Sequence, residues 1–286
     1  MQKSFVEKTV SSFTPNEFRK LIRSGEFRSI TSGYCEGYIQ ANLVILPQKF
    51  ADEFEQFCKL NHAPCPVLEK LQPGEIKPKL LIHEENECDI RKDIPKYRVY
   101  KNGVFVEETS DVSNYWRDDL VTFLIGCSFS FERALQQNGI EVRNITEKKN
   151  VSMYNTNMIC KTSSEFKYLN RKPIPMVVSM RPIPKDKVDL AVKITEQFTT
   201  THGGPVHCGD PNEIGISDLN RVDYGESVTI HEGEIPCFWA CGVTSSIAAL
   251  SIQEADLCIT HAPGNMFISD LKEPTIVPMV LQCHYC

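Results

Sequence analysis

The chain has 286 residues, 41% of them hydrophobic and 24% charged, with 15 Gly and 17 Pro, a mixture that excludes disordered, collagen-like and coiled-coil sequences. Lys and Arg number 31 against 37 Asp and Glu, so the net charge is -6 and the densest basic run is Lys148-Lys149, which disfavours nucleic-acid binding. No stretch approaches the roughly 18 uninterrupted apolar residues of a membrane helix.

The first elements follow from period and caps. Thr14 or Asn16 precedes Phe18, Leu21 and Ile22, spaced for one helical face. Ala41–Leu46 is an apolar strand closed by Pro47, and Phe50, Phe54, Phe57 and Cys58 then mark an amphipathic helix. A proline-rich loop occupies 61–66. Short strands are expected at 80–82 and 97–100, the latter opening a hairpin through Asn102-Gly103. Residues 120–125 read as strand or helix, and a helix follows over 131–137. No clear period runs through 141–175. Two β-α-β patterns come next: 176–180, 186–198 and 205–207, then 235–239, 244–253 and 257–260. They predict an α/β protein with a partly parallel sheet, in which 1–140 with 235–286 form the main unit and 141–234 an inserted smaller one.

Twelve cysteines require a decision. The opening MQKSFVEKTVSSF has no apolar signal core, and acids interrupt its basic residues, which argues against a transit peptide. Cys127, Cys160 and Cys258 sit singly in apolar runs, where a thiol packs as a small hydrophobe. Cys283 and Cys286 form a CxxC pair at the tail. The expectation is reduced thiols in an intracellular compartment, cytoplasmic or mitochondrial matrix, so the sequons at Asn144 and Asn150 are not read as glycosylation sites.

P-loop, dinucleotide and HExxH signatures are missing from the sequence. Candidate chemistry instead clusters at predicted strand ends, where α/β sheets bind ligands. Gly126-Cys-Ser-Phe-Ser130 fits three readings: a helix cap by Ser128 or Ser130, an anion-binding turn, or a serine or cysteine nucleophile. Thr201–Pro211 carries His202, His207, Cys208 and Asp210. His207 and Cys208 would point to opposite faces of a strand, so a base oriented by a carboxylate, His207 with Asp210, fits better than a metal site; turns held by Asp210 are the plain alternative. Arg181 at a strand end suits a carboxylate or a structural ion pair. Thr244 is most simply an N-cap, and His261 gains interest only from its position beside that segment. Arg91 lies in an alternating-charge run that reads as surface or as pocket.

Seven segments, Gln40–Pro47, Asp89–Pro95, Gly126–Glu132, Ser179–Pro182, Pro205–Pro211, Phe238–Thr244 and Thr260–Gly264, together resemble the hydro-lyase family that includes the vertebrate mitochondrial D-glutamate cyclase. The resemblance runs from about residue 30 to 271 and departs at Thr31–Gly37, one edge of the expected pocket. It implies two α/β units, a three-layer αβα sandwich with a smaller two-layer sandwich, and a carbon–oxygen lyase that converts D-glutamate to 5-oxo-D-proline and water. That chemistry asks for a base (His207 with Asp210, or Cys127), cations for the spectator carboxylate (Arg181, Arg91), and oxyanion donors at Ser128 and Ser130, with Thr244 and His261 completing the substrate contacts. It needs no redox cofactor, and the sequence demands no metal. All these residues are expected around one cavity, the partner is a small carboxylate or amino acid, and a homo-oligomer is allowed. Non-catalytic carboxylate binding, lysis of another carboxylate, and an interaction module using the apolar tail at 275–286 are the alternatives.

Overall fold

The computed structural model describes residues 13–273. The tail cysteines, the apolar run at 275–286 and the first twelve residues lie outside them. Helix α1 (Pro15–Ser24) starts where Thr14 and Glu17 cap each other reciprocally, and it stops at Gly25, whose φ of 85° is left-handed.

The described residues form two sheets and two α/β units. The larger sheet contains β1 (Tyr38–Pro47), β2 (Val67–Lys70), β3 (Tyr97–Lys101), β4 (Val104–Thr109), β5 (Leu120–Gly126), β10 (Cys258–His261) and β11 (Phe267–Lys272). Its order is β2-β5-β1-β10-β3-β4, with β11 also paired to β1. The smaller contains β6 (Ser152–Ile159), β7 (Pro175–Pro184), β8 (His207–Cys208) and β9 (Glu234–Ala240), in the order β6-β7-β9-β8.

Every pairing between these strands is antiparallel, which corrects the partly parallel expectation. The physical reason lies in where the helices lead. After β7, helix α5 (Val188–Thr195) delivers the chain to β8, which pairs with β9 and not with β7. After β9, helix α6 (Val243–Leu250) leaves for β10 in the other sheet. Strand β9, assigned from sequence to the larger unit, therefore belongs to the smaller sheet.

Helices are exchanged between the units. Helix α3 (Phe129–Gln137) follows β5 of the larger sheet, yet its Phe131, Ala134 and Leu135 pack with α5 against Ile183, Cys237 and Trp239 of the smaller one. Helix α6 follows β9 of the smaller sheet, yet its Ala248 and Ala249, with Ile252 just beyond it, pack with α2 (Gln48–Leu60) against Val44, Leu46, Val121 and Phe123 of the larger. The other face of the larger sheet is covered by irregular chain, including Leu71, Leu81, Ile82, Ile90 and Ile94. The strand expected at 80–82 is absent because its backbone bonds a side chain instead: the N–H groups of Lys79, Leu80 and Leu81 all donate to the Glu69 carboxylate.

Candidate functional site

Both exchanged helices begin where the two sheets meet, and their first turns are built alike. Ser130 N and Phe131 N donate to Cys127 O and Ser128 O, while the Phe129 N–H reaches the Cys127 thiol. Thr244 N and Ser245 N donate to Cys241 O and Gly242 O, and Val243 N–H reaches the Cys241 thiol. Cys127 N also donates to Gln40 O, so three of the four N–H groups at 127–130 expected to bind an oxyanion are engaged within the protein. Burial holds the Cys127 thiol far above its ordinary range and raises Cys241 to about 11, so neither is a ready thiolate.

The remaining sequence candidates separate. Arg181, which pairs with Cys237 across the ladder, shares its face of the smaller sheet with Ser179 and Trp239. His207 pairs with Phe238 and lies on the opposite face, so Arg181 and His207 do not share a cavity. The expected base-and-carboxylate dyad is not formed either. The His207 ring reaches the Asp210 backbone oxygen at 2.9 Å, while the Asp210 carboxylate caps the turn at 211–214 through Asn212 N. Arg91 is forked onto Asp89, two residues away, with bonds of 2.8 Å. Thr244 Oγ1 accepts from Val177 N and Ser130 Oγ from Gln40 N, both tying a helix start to a strand. His261 is buried, with Nδ1 accepting from Leu43 N, and burial lowers its pKa to about 4. Each is a structural fastening, which the residue types alone could not distinguish from a ligand contact.

What the structure does assemble is a buried chain of polar groups. Arg181 Nη2 donates to Glu132 Oε1 at 2.6 Å and to Ser128 Oγ, and Nη1 donates to Ser179 Oγ. The guanidinium lies over the adjacent rings of Phe131 and Trp239, 5.0 and 5.6 Å from their centroids. The pair is almost wholly dry, with side-chain exposures of 1% and 3%. On its far side, Glu132 Oε2 accepts from Ser32 Oγ at 3.0 Å, and Ser32 Oγ accepts from Asn144 Nδ2 at 3.4 Å.

Ser32 and Asn144 line a cavity of about 580 Å³, walled by Ile30, Gly33, Tyr34, Glu36, Ile145, Lys148 and Lys149. Lys149 is engaged by Glu147 and Ser227 O. Lys148 is exposed, takes a left-handed φ of 54°, and has no ion-pair partner among the described residues. The side-chain amide oxygens of Gln40, Asn144, Asn150 and Asn265 are buried without a hydrogen bond at this junction of 31–40, 144–150 and 263–266. The asparagines of both sequons are thus interior groups.

A family model described as D-glutamate cyclase matches residues 121–270. The "Putative hydro-lyase YcsI" of Bacillus subtilis is 47% identical over 262 residues, covering 92% of this chain and 98% of that protein. A Bacillus licheniformis relative, also named "Putative hydro-lyase", is 48% identical over 264 residues, covering 92% and 97%. The chain belongs to the D-glutamate cyclase family. Among solved structures, a nitrogen repressor-like protein MJ0159 from Methanococcus jannaschii aligns with 91% of this chain at 9% identity and a TM-score of 0.36.

Within this D-glutamate cyclase family chain, the matched span includes Glu132, Asn144, Lys148 and Arg181, whereas Ser32 precedes it. Sequence reasoning found Arg181 and Ser128 but not their partner Glu132, although Glu132 closes the Gly126–Glu132 segment. A glutamate in a first helical turn reads as a favourable dipole contact, and only the cross-sheet fold brings Arg181 to it. Asn144 and Lys148 carried no signal beyond a sequon and a two-residue basic run. Among the described residues, no three His, Cys, Asp or Glu side chains converge as metal ligands.

Proposed function

We propose that the protein is a carbon–oxygen lyase that cyclises D-glutamate to 5-oxo-D-proline and water in the cavity beside Ser32. The observation that carries this reading is the Asn144–Ser32–Glu132–Arg181 chain, which presents a hydroxyl bonded to a fixed carboxylate at the cavity wall. Membership of the D-glutamate cyclase family supports D-glutamate as the substrate.

The reaction joins the substrate amine to its own γ-carboxyl carbon and breaks one C–O bond. The two protons lost by the ammonium leave with the carboxyl oxygen as water. Lys148 anchors the spectator α-carboxylate. Ser32 takes a proton from the ammonium while passing its own to Glu132 Oε2, and the reverse transfer delivers protons to the departing oxygen. Arg181 touches no substrate; it fixes the Glu132 carboxylate in place. Because attack occurs within one molecule, holding the substrate folded supplies much of the rate.

The test is incubation with D-glutamate and mass spectrometry for loss of one water, repeated on Glu132→Gln. The wild type should turn over and Glu132→Gln should bind but not react. Turnover by Glu132→Gln at the wild-type rate would remove the assignment, and binding without turnover by the wild type would leave a carboxylate-binding protein.

A further inference from the structure

Away from the cavity, two thiols face each other across the smaller sheet. Cys208 of β8 and Cys237 of β9 are direct register partners. The neighbouring pair, Gly209 and Pro236, is joined by a backbone bond from Gly209 N to Pro236 O at 3.0 Å. Alternation along an antiparallel ladder therefore makes Cys208–Cys237 a non-hydrogen-bonded pair, where Cα atoms approach to about 4.5 Å and side chains stand closest. That separation lies within the range of about 4.4–6.8 Å that a disulfide spans without moving the backbone. The two thiols are in hydrogen-bond contact, and Cys237 lowers the pKa of Cys208 by donating to its sulfur.

The pair is also asymmetric in access. Cys237 is buried among Phe131, Ile183 and Trp239, whereas Cys208 is half-buried at the sheet edge. The other opposed or neighbouring cysteines lack this combination: Cys58, Cys65, Cys127 and Cys241 are all buried.

We infer that Cys208 and Cys237 form a reversible cross-strand disulfide when the protein meets a peroxide. The Cys208 thiolate attacks one peroxide oxygen, the O–O bond breaks, and a sulfenic acid and one water result. The Cys237 sulfur then attacks that sulfenic sulfur; the S–S bond forms, the S–O bond breaks, and the second water leaves. Two thiols are oxidised by two electrons and one hydrogen peroxide is reduced to two waters. Because Cys237 pairs directly with Arg181, the bond would sit beside the Arg181–Glu132 pair, though its formation does not depend on the proposed activity.

The experiment treats the full chain with a small excess of hydrogen peroxide, blocks free thiols, and maps peptides without reduction. A peptide joining Cys208 to Cys237, two hydrogens lighter than the sum of its parts and separated by dithiothreitol, is the expected result. Cys208→Ser should abolish that species and leave Cys237 as an unmodified thiol. Cys208 carried to sulfinic acid with Cys237 still free, Cys208 joined to another cysteine, or both thiols untouched would each overturn the inference. The wild-type map decides by itself if the variant fails to fold.

Discussion

Replacing Arg181 by Met should expose how much of the fold rests on one ion pair. Methionine keeps most of the aliphatic stem beside Phe131 and Trp239 but removes the three polar contacts to Glu132, Ser128 and Ser179. Glu132, 3% exposed, then keeps the Ser32 hydroxyl as its side-chain donor. Removing one partner of a buried pair costs about 3–5 kcal/mol, because the remaining charge stays dry and uncompensated. With a urea slope of roughly 3 kcal/mol/M, the midpoint should fall by about 1–1.7 M. The double variant Arg181→Met/Glu132→Gln removes the stranded charge and should recover part of that loss, giving a coupling of roughly 1–3 kcal/mol. Urea unfolding followed by circular dichroism measures all four proteins. A loss below about 1 kcal/mol for Arg181→Met, or strict additivity in the double variant, would refute the argument.

Three further outcomes are expected. Burial holds His202 and His261 neutral to about pH 4, so the unfolded chain binds two protons that the folded one does not as pH falls below 6.5. Their contribution is complete above the unfolded pKa and is lost as pH falls toward the folded one, each adding a slope of about 1.4 kcal/mol per pH unit between pH 6 and 4.5; His261→Asn should reduce the measured slope by that amount, and an unchanged slope would count against the assignment. Gly126→Ala should destabilise strongly, because the added Cβ would lie 2.0 Å from Thr200 O, a backbone atom with little room to retreat; a melting temperature within a degree of wild type would contradict this. Lys148→Ala should raise KM for D-glutamate about fivefold, the effect of losing roughly 1 kcal/mol at an exposed charge, with kcat little changed; a fall in kcat alone would assign Lys148 another role.

Much of the secondary structure was legible because local signals and tertiary packing agree. The Thr14 cap, the Phe50–Cys58 stripe and the Asn102-Gly103 hairpin each depend on neighbours within a few residues, and each appears as expected. Strand β6 was missed because it is polar: Tyr154, Asn155, Thr156 and Asn157 interrupt any alternation, and its edge is held by Asp223 through Asn155 N. The site was the least legible part. Strand-end reasoning selected residues that secure the junction, such as Thr244 and His261, because fastening a helix start and holding a ligand draw on the same residue types. Ser32, Glu132 and Asn144 are brought together from segments about a hundred residues apart, a distance that local spacing does not encode.

The exchange of α3 and α6 has a consequence for what can be removed from this molecule. The polypeptide passes from one sheet to the other at Cys127–Ser128 and again at Cys241–Gly242, and each time the outgoing strand is roofed by a helix whose own strand lies elsewhere. A fragment holding only the larger sheet would keep β5 and α2 but lose α6, and Val44, Leu46 and Phe123 would lose part of their cover. A fragment holding only the smaller sheet would keep α5 but lose α3, and Cys237 and Trp239 would lose the cover of Phe131, Ala134 and Leu135. Neither half is a transferable module. Because each sheet lends the other a covering helix, the two are expected to unfold together, in a single thermal transition that calorimetry checks.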